Sequence, residues 1–335
     1  MKLLSADIVT RAAGPLITTA QTVQNTPIVP RVRVGLLLAI IPAVPALLLY
    51  YKKDLQSSSW TYRVMWVGVF LANMIASSIP GRFDSLQKWE GGIPWESSFE
   101  PATWAFSIWA IIYASELVST LHVGLLGEPM NALRKAVPFW VAGNVFQSLW
   151  CTTFRSEFIN VMWLPSALLT LACASFGLAH LELTSSIRYL SSAFNAEAQN
   201  HLFLVRFPLA LHFAWLAAAS LLNFNSWLAV SKASVDSQLS AAFLSAYGAA
   251  TLGIVFALKT RDPFIAFTLA WALASLSDRT RQKSTAALVA EGSALNSGRK
   301  GLFGRAHGAL ATTEKVLSYV LLGLGAAVSV PKDMF

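Results

Sequence analysis

Polar side chains set inside apolar runs are the residues of this chain best placed to do chemistry, because a polar group in lipid is expensive to keep. Asn73, Asn144 and Asn223 each lie in a different apolar run, Glu116 lies in a further one, and Arg206 and His212 share the run of Asn223. The amides read in two ways: as hydrogen bonds between helices, worth about 0.6–2 kcal/mol in a membrane, or as the lining of a cavity. His212 reads either as a core histidine bonded to a neighbouring carbonyl or as a ligand contact. Glu116 follows Trp109 by seven residues, two helical turns along one face. It pairs with a base on another helix or sits near a helix end with its carboxylate in water. Arg206, just before Pro208, suits a snorkelling position at the membrane surface.

The aromatic residues form a second set. Of 12 tryptophans, Trp60, Trp66, Trp89, Trp95, Trp140, Trp163 and Trp227 fall near run ends or in the 80–101 loop, where an aromatic belt at the headgroups accounts for them. Trp104, Trp109, Trp150, Trp215 and Trp271 fall within runs. An indole needs a partner for its N–H and offers a flat face to planar apolar ligands, so five of them on four helices suggest a shared aromatic pocket. Hydrolytic, nucleotide-binding and metalloprotease motifs are missing from the sequence. The five histidines are too scattered for a metal cluster to be read from spacing, and no catalytic residue is assigned.

The elements that must position these groups are membrane helices. Hydrophobic residues make up 55% of the 335 and charged residues 13%, about half the share of a soluble domain; the mean hydropathy is +0.54. Since a span needs about 20 mostly apolar residues, the runs are 34–51, 62–79, 102–126, 137–154, 158–183, 202–228, 239–258 and 263–276, with a shorter one at 316–330. The expected fold is therefore all-α, a polytopic transmembrane bundle of about seven to nine spans. The runs from 158 and 263 follow their predecessors so closely that each pair should form a tight antiparallel hairpin.

Residues 1–33 are basic, rich in hydroxyls and poor in acids, as in an organellar transit segment or a basic juxtamembrane arm. Residues 34–61 hold the extra first run and its loop, 62–277 the main bundle, 278–314 a basic polar tail that is partly helical, and 315–335 a short apolar helix. The formal charge of +8 sits mostly in loops and tails with no nucleic-acid-reading motif, so anionic lipid headgroups are the expected partners. Lys and Arg do not orient the chain: the side of the two termini holds more in total, whereas the short connecting loops are richer on the opposite side. Cys151 and Cys173 lie in apolar runs as small hydrophobes, without the pattern of a disulfide scaffold or a zinc site.

At Phe99 to Tyr113 the segment FEPATWAFSIWAIIY resembles a helix motif of the translocator protein/tryptophan-rich sensory protein family (TspO/MBR-like), in its longer bacterial branch. Phe99, Pro101, Ala102, Phe106, Ser107, Ile108, Trp109 and Tyr113 match in register. LANMIASSIPG, GNVFQSLWCTTF, RFPLALHFAWLAAASLLN and KTRDPFIAFTLAWAL resemble further family segments in the expected order, so the likeness covers 62–277. Gln147 stands where the family has Asn, Thr103-Trp104 replaces Gly-Tyr, and Ala110 replaces the Gly after Trp109. The resemblance implies a five-helix core in an organellar or bacterial membrane, around a cavity for tetrapyrroles, sterols and hydrophobic drugs. On that basis Trp104, Trp109, Tyr113, Asn144, Gln147, Trp150, Trp215 and Asn223 would line the pocket, with no metal ligand among them. A tetrapyrrole or lipid is the implied bound molecule, handled by transport or sensing, without catalysis. The alternative is a structural subunit of a respiratory or photosynthetic complex in a mitochondrial or plastid membrane, in contact with lipids, pigments or neighbouring subunits; a homodimer is a further form of assembly.

Overall fold

The computed structural model describes residues 59–83, 95–126, 131–190, 196–292 and 298–329. The arm at 1–33, the run at 34–51, the side chain of Trp60 and Trp89 lie outside the described residues. Within them the regular structure is helical, with one isolated antiparallel bridge between Arg82 and Arg155. The helices are α1 (Ser59–Ser78), α2 (Ile108–Leu121), α3 (Asn131–Thr153), α4 (Trp163–Leu190), α5 (Ala196–Val230), α6 (Val235–Thr260), α7 (Pro263–Gly292) and α8 (Gly298–Ser329). A 3-10 turn, Thr103–Ser107, leads into α2, and a π turn, His122–Leu126, ends it. The stretch read as a polar tail thus supplies the second half of α7 and the first half of α8, and the short apolar run ends α8.

Among the described residues, four segments are long and apolar enough to cross a membrane: Thr103–Leu125, Trp163–Ser185, Phe203–Val230 and Val235–Thr260. The protein is an integral membrane helical bundle. α5 has 35 residues, about 50 Å of helix, more than a bilayer's hydrocarbon core requires.

The core is built by α3 on α4, α4 on α5, α1 on α3 and α2 on α5, while α7 and α8 form the most extensive pair and pack onto α5 and α6. Two glycines let the central helices close up. Gly143 of α3 lies under Phe176 of α4, where an added Cβ would come within 2.8 Å of the ring. Gly177 of α4 makes the same room for Phe213 of α5, at 2.7 Å.

The α6–α7 connection is short because each of its residues ends or starts a helix. Arg261 adopts the left-handed conformation (φ 56°) that stops α6. Asp262 Oδ1 then accepts the Phe264 N–H at 3.1 Å, and Pro263 takes the first helical position, where no N–H is needed. The start of α2 is latched to α7: the Ala102 N–H donates to the Ser275 carbonyl at 3.1 Å and Trp271 Nε1 to the Ala105 carbonyl at 3.1 Å. Outside this latch, Lys283 of α7 reaches Glu100 Oε2 at 2.6 Å and Glu96 Oε1 at 3.0 Å.

One placement from the sequence is corrected. Trp66 and Trp140 are not belt residues: each is 1% exposed, and their rings stack across α1 and α3 at 4.3 Å with 8° between planes. Trp104 and Trp271 are the more open ones, at 40% and 39%, packed edge to face at 4.7 Å. Position within a run marks depth along the helix axis, whereas burial depends on which way the residue faces.

Candidate functional site

The residues singled out from the sequence gather at three linked seams. The first lies between α2 and α5. Trp109 stacks on Tyr113 one turn later, at 5.2 Å and 17°, and meets Trp215 edge-on at 6.2 Å. Phe106 also meets the Trp215 edge, at 5.9 Å. Because the helices run antiparallel, Glu116, two turns beyond Trp109, comes opposite His212, one turn before Trp215. His212 Nδ1 and Glu116 Oε1 lie 2.5 Å apart, and both side chains are fully buried. The imidazole stacks on Phe176 of α4 at 4.1 Å and stands at 87° to the Trp109 ring, 5.6 Å away.

The second seam joins α1 to α3 through side-chain amides. Asn73 Nδ2 donates to Asn144 Oδ1 at 3.1 Å and to Gln147 Oε1 at 2.9 Å. Asn144 Nδ2 donates to its own helix, at the Trp140 carbonyl, at 2.9 Å. Gln147 Nε2 points to the Tyr113 hydroxyl at 3.4 Å, which ties this seam to the first. Gln147, a departure from the family pattern, thus still supplies an amide, and Asn144 shares the same partner.

The third seam joins α3 to α5. Trp150 Nε1 donates to Asn223 Oδ1 at 3.0 Å, and Asn223 Nδ2 donates to the Ala219 carbonyl at 3.1 Å. The Trp150 ring stacks on Phe154 at 5.0 Å and carries the Arg82 guanidinium 5.7 Å from its centroid. Trp104 stands apart from the three seams, against Trp271 of α7.

Glu116, His212 and Phe176 complete the first seam, although the pocket set drawn from the sequence held none of them. Glu116 and His212 were visible as polar groups inside apolar runs, but their pairing across 96 positions carries no sequence signal. Phe176 looked like one more apolar residue. A separate buried cluster lies at the α6–α7 turn, where Asp262 Oδ2 meets His180 Nε2 at 3.0 Å and the Arg206 Nε at 3.3 Å. Arg206 therefore has a buried carboxylate partner while remaining 27% exposed. Both cysteines are buried and neither is in a disulfide.

Several buried polar atoms at the first seam have no hydrogen-bond partner: Glu116 Oε2, His212 Nε2 and Trp215 Nε1. So do the hydroxyls of Ser119 and Thr120, one turn beyond Glu116 on its side of α2. Unpaired polar atoms in a buried site are costly, on the order of 1–3 kcal/mol each. They cluster along the facing parts of α2 and α5. Among the described residues, no group of three or more His, Cys, Asp or Glu is placed to hold a metal ion alone.

A family model described as TSPO-like protein matches residues 55–295, well over half of the chain. No curated protein and no solved structure matches it. The match spans α1 through the whole of α7, and so includes all three seams. The chain belongs to the TSPO-like family.

Proposed function

We propose that this protein binds a planar hydrophobic ligand of the tetrapyrrole or sterol class, for transport or sensing, without catalysing a reaction on it. The observation that carries this reading is the convergence of Trp109, Tyr113 and Trp215 from α2 and α5 beside buried polar atoms with no partner. Aromatic faces would hold the flat body of the ligand, and the unpartnered Trp215 Nε1 and Glu116 Oε2 would meet its polar edge; Asn144, Gln147, Trp150 and Asn223, bonded across the helices, would frame the site, with Trp104 at its margin. Lipid is the constant partner of the apolar helix faces. A mitochondrial or plastid membrane fits the basic, acid-poor first 33 residues; a bacterial membrane is the other setting known for such bundles.

Titration of the purified protein with protoporphyrin, following Trp quenching and the porphyrin absorption band, tests the reading. Saturable one-to-one binding that collapses in Trp109→Ala and Trp215→Ala supports it; absence of saturable binding overturns it.

A second reading, a structural subunit of an organellar respiratory or photosynthetic complex, draws on a different observation. The amides of Asn73, Asn144 and Gln147, and the Trp150–Asn223 pair, already bond to one another across helices. Groups engaged in this way fasten a scaffold. A mass determination on native membranes in mild detergent separates the two: a discrete large assembly favours the subunit, and a free monomer or homodimer removes it.

A further inference from the structure

We propose that Glu314 is a proton-binding site that keeps the α7–α8 hairpin closed, and that loss of its proton releases residues 95–105, the segment that leads into α2. The inference stands apart from whatever the α2–α5 seam binds. It begins with a ladder of hydroxyls along one face of α7. Ser277 Oγ donates to the Ala311 carbonyl of α8 at 2.7 Å, and Ser284 Oγ donates to the Gly304 carbonyl at 2.8 Å. Thr280, the middle hydroxyl of the ladder, is buried and makes no such bond. It lies instead beside Glu314 of α8, which is fully buried with both carboxyl oxygens unpaired.

Among the described residues, no charged side chain offsets this burial. The helices packed on α8 are α7 and α6. On α7, Arg279 and Lys283 turn to Glu96 and Glu100, and Arg281 is exposed. Asp278, two residues before Thr280, lies on the other side of that helix. The charged residues of α6, Asp236 and Lys259, are in its first and last turns. On α8 itself, Arg305 is exposed and Lys315 lies over the Tyr319 ring, 5.8 Å from its centroid. His307 is two turns before Glu314 on the same face, about 10 Å along the axis, and meets Ser98 Oγ at 3.2 Å. A carboxylate at this place is an unpaired buried anion, far costlier than the neutral acid. Burial accordingly raises the carboxyl from its ordinary 4.5 to about 8, with the Thr280 hydroxyl working weakly against it. A proton needs no cavity, since it sits on a carboxyl oxygen and leaves the packing as it is.

Closure of the hairpin reaches further, because several of its residues hold the 95–105 segment. His307 meets Ser98, and Lys283 Nζ donates to the Ser97 carbonyl at 2.8 Å as well as pairing with Glu100. The Ala102 N–H bonds to Ser275 of α7, and Trp271 Nε1 bonds to the Ala105 carbonyl. As the pH rises, the carboxyl O–H bond breaks, its electron pair stays on the carboxylate and the proton passes to water or buffer. Hydrating the anion requires α8 to part from α7, and the contacts to residues 95–105 loosen with it. The preference for the closed hairpin is fully present below 4.5, where the open form also holds the proton, and is lost as the pH rises through about 8.

Hydrogen–deuterium exchange of the full-length protein in detergent, followed by mass spectrometry across this range, tests the proposal. All amides exchange faster as base catalysis increases. Beyond that common rise, peptides from 95–105 and 304–318 should gain about 10-fold per pH unit between 4.5 and 8 and level off above, whereas peptides from α3 and α4 should not. Glu314→Gln, neutral at every pH, should lose the extra rise, and His307→Gln should keep it. An extra rise that persists in Glu314→Gln, vanishes in His307→Gln or is missing from the wild type overturns the proposal. Should Glu314→Gln not fold, the infrared spectrum of the wild type decides. A protonated-carboxyl stretch should remain at about pH 7, above the ordinary carboxyl range, and shift in Glu314→Asp; its absence rejects the site.

Discussion

The α1–α3 and α2–α5 seams handle buried polar groups in opposite ways. Between α1 and α3, amides bond to amides, and two indoles stack flat with Trp140 Nε1 donating to the Trp66 carbonyl at 3.2 Å. Tyr62 Oη, Arg63 Nε, Trp66 Nε1 and Asn73 Oδ1 are left over on α1, but both helices are tied together directly. Between α2 and α5 one polar contact, Glu116–His212, accompanies the aromatic ones, and Glu116 Oε2, Ser119 Oγ, Thr120 Oγ1, His212 Nε2 and Trp215 Nε1 lack partners. One seam is held by amides bonded across it, and the other by stacked rings with one charged contact. Polar residues in similar apolar runs thus bond to one another in one place and are left without partners in another.

Mutation should separate the two roles. Trp140→Ala, at the closed seam, should have the largest effect, a loss of about 3–5 kcal/mol seen as a lowered unfolding midpoint in detergent. Trp109→Ala should leave the midpoint much closer to wild type and remove porphyrin binding. Equal losses of stability in the two variants would erase the distinction between the seams.

A third environment sharpens the comparison. Glu314 of α8, outside the four candidate spans, is fully buried with neither carboxyl oxygen paired, and burial raises its pKa from 4.5 to about 8. The folded state therefore holds this proton more tightly than the unfolded one. Its contribution is fully present below pH 4.5 and is lost as the pH rises towards 8. Glu314→Gln should flatten that decline in a pH series of unfolding midpoints. An unchanged slope would show that water reaches the carboxyl.

Asn73→Ala comes next, with an expected loss of about 1–3 kcal/mol, because Asn144 Oδ1 and Gln147 Oε1 lose their shared donor. Ser119→Ala, at the open seam, removes a hydroxyl that bonds to nothing and should be close to neutral or slightly stabilising. The smallest effect is expected for Lys283→Ala. Its pairs with Glu96 and Glu100 are partly open to solvent, and a loss below about 1 kcal/mol, fading in high salt, is expected.

Much of the helical layout was legible in the chain, because apolar length is a local property. Each run from 62 onward corresponds to a helix, and the tight links before 158 and 263 reflect a helix stop and start within a few residues. The ordered motifs also placed the family, since the residues that carry them are contiguous. The facing of side chains was less accessible. Trp66 and Trp140 look interfacial by their distance from run ends, yet they stack in the core. Trp104 looks like a pocket residue and lies open against Trp271. Rotation about a helix axis is set by the neighbours, and with almost no polar face to mark the outside, an apolar run gives little sign of it.

The sequence by itself determined a helical membrane protein, its order of spans and its kinship, because composition, run length and short motifs are properties of the chain alone. Tertiary structure decided which polar groups satisfy one another and which are left open. It set Asn73 against Asn144 and Gln147, and Glu116 against His212, partners separated by 71, 74 and 96 positions. It also chose which histidine nitrogen remains free. These pairings depend on how antiparallel helices register against each other, and that register is fixed by packing contacts, such as Phe176 on Gly143, that no local stretch of sequence contains.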